Sequence, residues 1–264
     1  MDTQELLALY DRDERIESVC GGPGVRRELT PRVIRHVNIP ERESFIIYSS
    51  LDERTVEEAI TEQIEFFESA GRSFEWKVFA HDRPADLKER LVARGFEAEE
   101  TEAVMVLELE DAPETLLRPV TEDVRRVVEV EELRDVVAVQ REVWGGDRNS
   151  LGEQLGEELQ LSPNNLSVYV AYADGVAAAA AWLRFSGHSR FASLWGGSTL
   201  SRHRRKGLYT ALLAARVQEA RRRGVPFLTI DAGRMSRPVV EKYGFRVLTH
   251  ATACRWRAKT NRVN

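Results

Sequence analysis

Strand-like and helix-like patterns alternate along the 264 residues, and the alternation runs twice. That places the chain in the mixed α/β (α+β) class, built as two structural repeats. Three observations carry the assignment. Apolar or alternating runs such as Phe45-Ile-Ile-Tyr48 and Leu166 to Tyr172 read as strands. Amphipathic stretches closed by glycine, such as Thr55 to Ala70 before Gly71, read as helices. Three anchors then recur at one spacing of 149 residues: Leu51 with Leu200, Asp82 with Asp231, and Phe96 with Phe245.

In order, Met1 to Glu17 predicts a short helix, and Cys20-Gly-Gly-Pro-Gly24 a break. The Phe45 strand follows. Thr55-x-x-Glu58 predicts a capping box on a helix whose Val56, Ile60, Ile64 and Phe67 share one face. Phe74 to Ala80 alternates like a strand, and Asp82-Arg-Pro84 opens a helix that Gly95 stops. Ala103 to Leu109 is the next strand. Asp111 to Pro119 is the best linker, which divides the chain into 1–114 and 115–264. Beyond it, Leu133 to Trp144 and Leu151 to Leu161 predict two acidic helices. Asp174-Gly175 joins two strands as a hairpin, and Arg190 to Ser198 adds a third. The helix Gly207 to Arg223 turns Leu208, Leu212, Leu213, Val217 and Ala220 to the core and Arg216, Arg221 and Arg222 to water. Val225 to Ile230, Ser236 to Tyr243 and Arg246 to Trp256 complete a strand, a short helix and a last strand, with a frayed tail after Arg257.

Composition narrows the function. A net charge of -5 argues against a general nucleic-acid binder. Cys20 and Cys254 lie far apart and suit two reduced thiols. The start of the chain lacks the basic and apolar regions of a leader, and Val176 to Leu183 is too short to cross a membrane. The expected location is the cytoplasm. Neither a metal-ligand spacing nor a Ser/His/Asp order is visible, so no metal is expected.

The chemistry concentrates at Ser198 to Leu213. A strand ends, a basic turn follows from Arg202 to Lys206, and Gly207 opens a helix. Strand end, inward N–H groups and a helix N-terminus make an anion cradle. Gly207 removes the Cβ where a ligand must approach, and Arg204, Arg205 and Lys206 can neutralise phosphate oxygens. The matching stretch of the first half, Asp52 to Glu58, is acidic and lacks glycine, so only the second repeat is expected to hold an anion.

Arg204-Arg-Lys-Gly207-Leu-Tyr209, the order of elements from Val120 to Trp256 and Gly244-Phe245 resemble the GCN5-related N-acetyltransferases, the GNAT superfamily. The first half resembles a degenerate copy, which makes the chain similar to tandem-GNAT proteins. The resemblance implies, for each repeat, a mixed, mostly antiparallel twisted sheet flanked by helices. It implies acetyl-CoA as donor, with its diphosphate on the backbone of Arg205, Lys206, Gly207, Leu208, Tyr209 and Thr210 beside Arg204. The pantetheine arm would run along Gly197, Ser198 and Thr199, where two parallel strands, Phe191–Thr199 and Phe227–Ile230, splay apart. Three positions depart from the family pattern: Tyr209 replaces a small residue, Gly233 an asparagine, and Val240 the tyrosine that protonates the leaving thiolate. Tyr243 is expected to pack.

The expected activity is acetyl transfer to a small-molecule or peptide amine by direct attack in a ternary complex. Asp231 is the candidate base, weakened by its match to Asp82. Glu142, Asp147 and Glu158 lie on the acceptor-side helices and read as solvated charges. His203 could touch phosphate, His188 reads as a polar turn residue, and Trp144, Trp182 and Trp195 read as pocket lining or core. The alternative is a non-catalytic acyl-CoA-binding sensor or scaffold. No motif fixes the acceptor or the oligomeric state.

Overall fold

The computed structural model describes residues 1–18, 22–39 and 42–258. Cys20 and the expected tail beyond 258 lie outside the described residues. Two compact units emerge. Unit 1 comprises 1–104, 231–235 and 247–264, and unit 2 comprises 105–230 and 236–246. The 1–114 and 115–264 division counts repeats of sequence, whereas the compact units follow strand pairing.

Unit 1 begins with α1 (Thr3–Tyr10), whose capping box is closed by Asp2 and Glu5, and continues through a π-helical turn at Asp11–Ile16. Then come β1 (Arg26–Leu29), β2 (Val33–Val37), β3 (Ser44–Ser49), α2 (Val56–Ser69), β4 (Phe74–Phe79), α3 (Leu87–Ala93) and β5 (Glu97–Ala98). β6 (Glu102–Glu108) contains the boundary between the units. Unit 2 adds α4 (Glu114–Leu117), β7 (Asp123–Arg126), α5 (Leu133–Trp144), α6 (Asn149–Leu161), β8 (Leu166–Ala173), β9 (Val176–Phe185), β10 (Phe191–Thr199), α7 (Leu208–Arg222), β11 (Phe227–Ala232) and α8 (Arg237–Glu241). The last strand, β12 (Arg246–Trp256), pairs antiparallel with β4 and so serves unit 1.

Within unit 1 the strands run β1-β2-β3-β4-β12, with β3 and β4 parallel and β5 on β12. Within unit 2 they run β6-β11-β10-β9-β8-β7, with β10 and β11 parallel and β7 to β10 antiparallel. Each is a twisted sheet with helices on its faces. In unit 2, α5 and α6 cover Val168, Val170, Ala180 and Trp182 on one face, while α7 covers Tyr169, Ala171, Ala179 and Ala181 on the other. The alternation of these neighbours along β8 and β9 is the period-2 rule at work.

The element order recurs, but the spacing does not. The parallel pairs begin at Ser44 with Phe74 and at Phe191 with Phe227, spacings of 147 and 153 residues between the units. Counted from those pairs, Asp231 corresponds to Val78 and not to Asp82, so the expected Asp82 match falls. Other expectations also need correction. Thr55 makes no side-chain cap; instead Asp52 accepts from the Arg54 and Thr55 N–H groups at 3.0 and 2.9 Å. The helix expected from Asp82 begins at Leu87. β1, β2 and β7 fall where the sequence pattern is too short and charged to register.

Arg15 fills the gap where β3 and β4 part. Their pairing ends at Ile46 with Trp76, and the next β3 carbonyl, Ile47, accepts from Arg15 Nε at 2.9 Å. The guanidinium also donates to Asp82 Oδ1 at 2.6 Å and Asp11 Oδ1 at 2.8 Å, and lies 3.9 Å over the Phe79 ring. Burial works against this cation, and the two carboxylates more than offset it.

Candidate functional site

In unit 2 the equivalent gap is left open. β10 and β11 pair from Phe191 with Phe227 to Ser193 with Thr229 and no further. Over Leu194 to Thr199, β10 keeps its β9 partner but has no described partner on the β11 side. Its backbone there is an edge able to receive an extended, amide-bearing ligand.

A bulge shapes this edge. Trp195 pairs with Trp182 and Ser198 with Ala180, so three steps along β10 oppose two along β9. Gly196 takes φ +65°, and a Cβ there would come within 1.9 Å of the Trp182 ring. Trp182 is buried beneath the bulge. Because paired residues share a face, the bulge turns both Trp195 and Ser198 toward α5 and α6. There Gln140 Nε2 donates to the Gly196 carbonyl at 2.6 Å, and Trp144 Nε1 donates to Ser198 Oγ at 2.8 Å. Gln140 was missed from sequence; a polar residue on the buried stripe of an amphipathic helix was the available signal.

The edge runs directly into the cradle. After a short turn at Ser201–His203, Arg205 takes φ +62° and Gly207 φ +85°. Two left-handed residues so close together turn successive N–H groups to one side. Gly207 is the N-cap of α7, and no side chain caps the helix. The N–H groups of Leu208, Tyr209 and Thr210 are therefore open, since a helix cannot satisfy its own first turn. Helix α2 also starts without a side-chain cap, but Asp52 accepts from the Arg54 and Thr55 N–H groups in the turn before it, so that turn carries its own carboxylate where the turn before α7 carries Arg204, Arg205 and Lys206. Arg204, Arg205 and Lys206 are exposed around the turn. Arg204 Nε donates to the Thr199 carbonyl at 3.3 Å, and the buried Thr199 Oγ1 has no partner.

Tyr209 turns inward. Its Cε2 stands 3.1 Å from where a Cβ on Gly197 would be, so it packs beneath the edge and leaves its own backbone free. Burial raises its phenol, opposed by Arg216. Arg216, expected to face water, is only 1% exposed. It donates to the Leu212 and Trp182 carbonyls at 3.0 and 3.4 Å, and burial pushes its pKa down to about 10. A long guanidinium stem can pass through a core when carbonyls receive its head.

Tyr243, expected to pack, brings its hydroxyl within 2.9 Å of Thr210 Oγ1 in the first turn of α7. Val240 is buried. His203 is buried and 3.5 Å from Lys206 Nζ. Asp231 lies in unit 1, where its Oδ2 is paired with the Lys77 ammonium. Glu158, expected in solvent, is buried and holds Arg184 through both oxygens, at 2.9 and 3.0 Å. Glu142 pairs with Arg202, and Asp147 with Asn149. Among the described residues no group of His, Cys, Asp and Glu could hold a metal ion.

Comparison with known proteins bears on this geometry. Residues 133–245 match the acetyltransferase (GNAT) family. No curated protein sequence matches the chain. Among solved structures, a GCN5-related N-acetyltransferase from Kribbella flavida is similar at 16% identity and TM-score 0.69, over 98% of this chain and 97% of that one. A tandem GNAT protein from the clavulanic acid biosynthesis pathway is similar at 14% identity and TM-score 0.62, over 91% and 86%. An acetyltransferase of the GNAT family from Novosphingobium aromaticivorans aligns at 15% identity and TM-score 0.57, over 96% and 97%. At these identities the likeness is one of fold.

Proposed function

We propose that residues 133–245, a domain of the acetyltransferase (GNAT) family, transfer the acetyl group of acetyl-CoA to a primary amine, and that unit 2 alone takes the donor. One observation carries the reading: the unpaired β10 edge at 194–199 leads straight into an uncapped helix start whose turn is left-handed at Arg205 and Gly207. A diphosphate suits the open N–H groups and the basic turn, and an amide-bearing arm suits the strand edge.

The roles follow from the residues. Arg204, Arg205 and Lys206 supply positive charge, and the N–H groups from Arg205 to Thr210 hold the phosphates. Gly197, Ser198 and Thr199 align the arm. A β10 backbone N–H at the bulge stabilises the oxyanion, held in place by Gln140 on the Gly196 carbonyl. Acetyl-CoA supplies an activated thioester. The amine nitrogen forms a bond to the carbonyl carbon, the C–S bond breaks with its electron pair on sulfur, and the ammonium proton leaves to water. Tyr243, at the first turn of α7, is the hydroxyl best placed to hand a proton to the thiolate. Asp231 can accept the ammonium proton only by giving up Lys77.

Calorimetry with CoA and thiol release on a panel of amines test this. Binding with turnover supports the reading. Binding without turnover on any amine favours a sensor or scaffold, and absence of binding removes both.

A further inference from the structure

Arg216 is a cation that the fold of unit 2 holds at a cost. It is 1% exposed and lies on the stripe of α7 that faces the sheet. Among the described residues it makes no ion pair: no carboxylate offsets its burial, and only the phenols of Tyr209 and Tyr169 act in favour of its charge. Glu219, one turn along α7, is taken by Ser167, Tyr169 and Arg223. The guanidinium bonds instead to main-chain carbonyls, Leu212 at 3.0 Å and Trp182 at 3.4 Å. Even with its pKa pushed down to about 10 by burial, it stays charged at neutral pH. A buried charge without a counter-ion works against stability, and an apolar side chain of similar length would pack the same space more favourably. Packing alone therefore gives no reason for a guanidinium here.

Its position gives one. The Trp182 carbonyl belongs to the β9 residue that pairs with Trp195, the last β10 residue in register before the bulge. β10 loses its β11 partner beyond Ser193, so the open edge begins at the same level. A bulge interrupts the ladder and leaves main-chain groups without strand partners. Two carbonyls around this one are received by side chains: that of Gly196 by Gln140 of α5, and that of Trp182 by Arg216 of α7. The two helices cover opposite faces of the sheet, so the bulge is gripped from both sides. Only the α7 grip carries a charge. Tyr209, two turns earlier on α7, packs against Gly197 at the far flank of the bulge.

Resting on the transferase reading, we propose that Arg216 is a positioning residue for acetyl transfer: anchored on the Trp182 carbonyl, its guanidinium fixes the β10 bulge and adds positive potential where the thioester carbonyl becomes an oxyanion. A fixed charge in a dry core acts more strongly than one in water and needs no rearrangement during the reaction. The stability lost by burying it is the counterpart of that preorganisation.

The test uses the full chain and acetyl-CoA isotope-labelled at the thioester carbonyl. Infrared difference spectra read the carbonyl stretch of the bound donor, calorimetry its Kd, and urea unfolding the stability. In the wild type the stretch should lie at lower frequency than in water, because the bulge N–H and the nearby cation polarise the bond. Arg216→Met should lose most of that shift while its donor Kd stays within about threefold and its urea midpoint is equal to the wild type's or higher. Arg216→Lys, which keeps the cation, should keep the shift. A Met variant that retains the full shift, a Met variant that loses it together with its stability or its fold, or a Lys variant as deficient as Met would overturn the proposal. So would a wild type that binds the donor with an unshifted carbonyl. Each of these outcomes leaves the donor site standing. A wild-type chain that binds no CoA would remove the transferase reading itself.

Discussion

Gly207 shows how much one residue decides. Its φ of +85° is one that L side chains adopt only with strain, and a Cβ there would stand 3.2 Å from Glu122 Oε1. Gly207→Ala should cost about 1–2 kcal/mol of stability, read as a lowered urea midpoint. It should also weaken donor binding. Tyr243→Phe removes only the hydroxyl that meets Thr210. If that hydroxyl serves the thiolate, kcat falls about tenfold or more with the donor Kd nearly unchanged, which stopped-flow thiol release can measure. The basic turn and Gly207 were legible in the sequence, because glycine and charge are local signals. The placement of Tyr243 was not, because its contact with Thr210 spans 33 residues and depends on where α8 ends. Burial of Arg216 was equally hidden, since its partners are main-chain carbonyls, which no sequence pattern displays.

At the scale of elements, the two helix starts and the two strand gaps are the informative pair. The turn before α2 is closed by Asp52 on the Arg54 and Thr55 N–H groups, and the gap between β3 and β4 is filled by Arg15. α7 begins uncapped, and the gap between β10 and β11 is open. Arg15→Ala should destabilise the protein by about 3–5 kcal/mol, because it leaves Asp82 buried without its partner; chemical denaturation would show it. The same cluster gives a pH dependence. Burial alone would raise the Asp11 carboxyl, but the hydrogen bond to His81 and the charge of Arg15 bring it below the ordinary value. A carboxyl lowered by folding adds stability that is complete above its unfolded pKa, near about 4, and fades as the pH falls through the folded value. The stability difference between wild type and Asp11→Asn should thus shrink as the pH falls below about 4. Strands β3, β4 and β6 and β8 to β12, and the longer helices, follow from periodicity. The short charged strands β1 and β7 do not, since only their partners β2 and β8 make them strands.

For the whole chain, two compact units are present, and a strand–helix–strand–helix order recurs from β3 to α3 and from β10 to α8. The constant spacing of 149 residues between the sequence anchors is a coincidence of unequal loops, as the spacings of 147 and 153 at the parallel pairs show. A repeat read by spacing alone thus assigned Asp82 as the counterpart of Asp231 when Val78 holds that place. Nor could the sequence show that β12 joins β4, because strand partners far apart in the chain leave no local trace. The two units differ at the strand gap, which Arg15 fills in unit 1 and which has no described filling in unit 2.

That difference makes the stoichiometry of donor binding the most direct test. Isothermal titration of the full chain with CoA should give one site per chain, and Gly207→Glu should abolish it while the variant keeps the wild-type circular dichroism spectrum. Two sites per chain, or binding that persists in Gly207→Glu, would contradict the account.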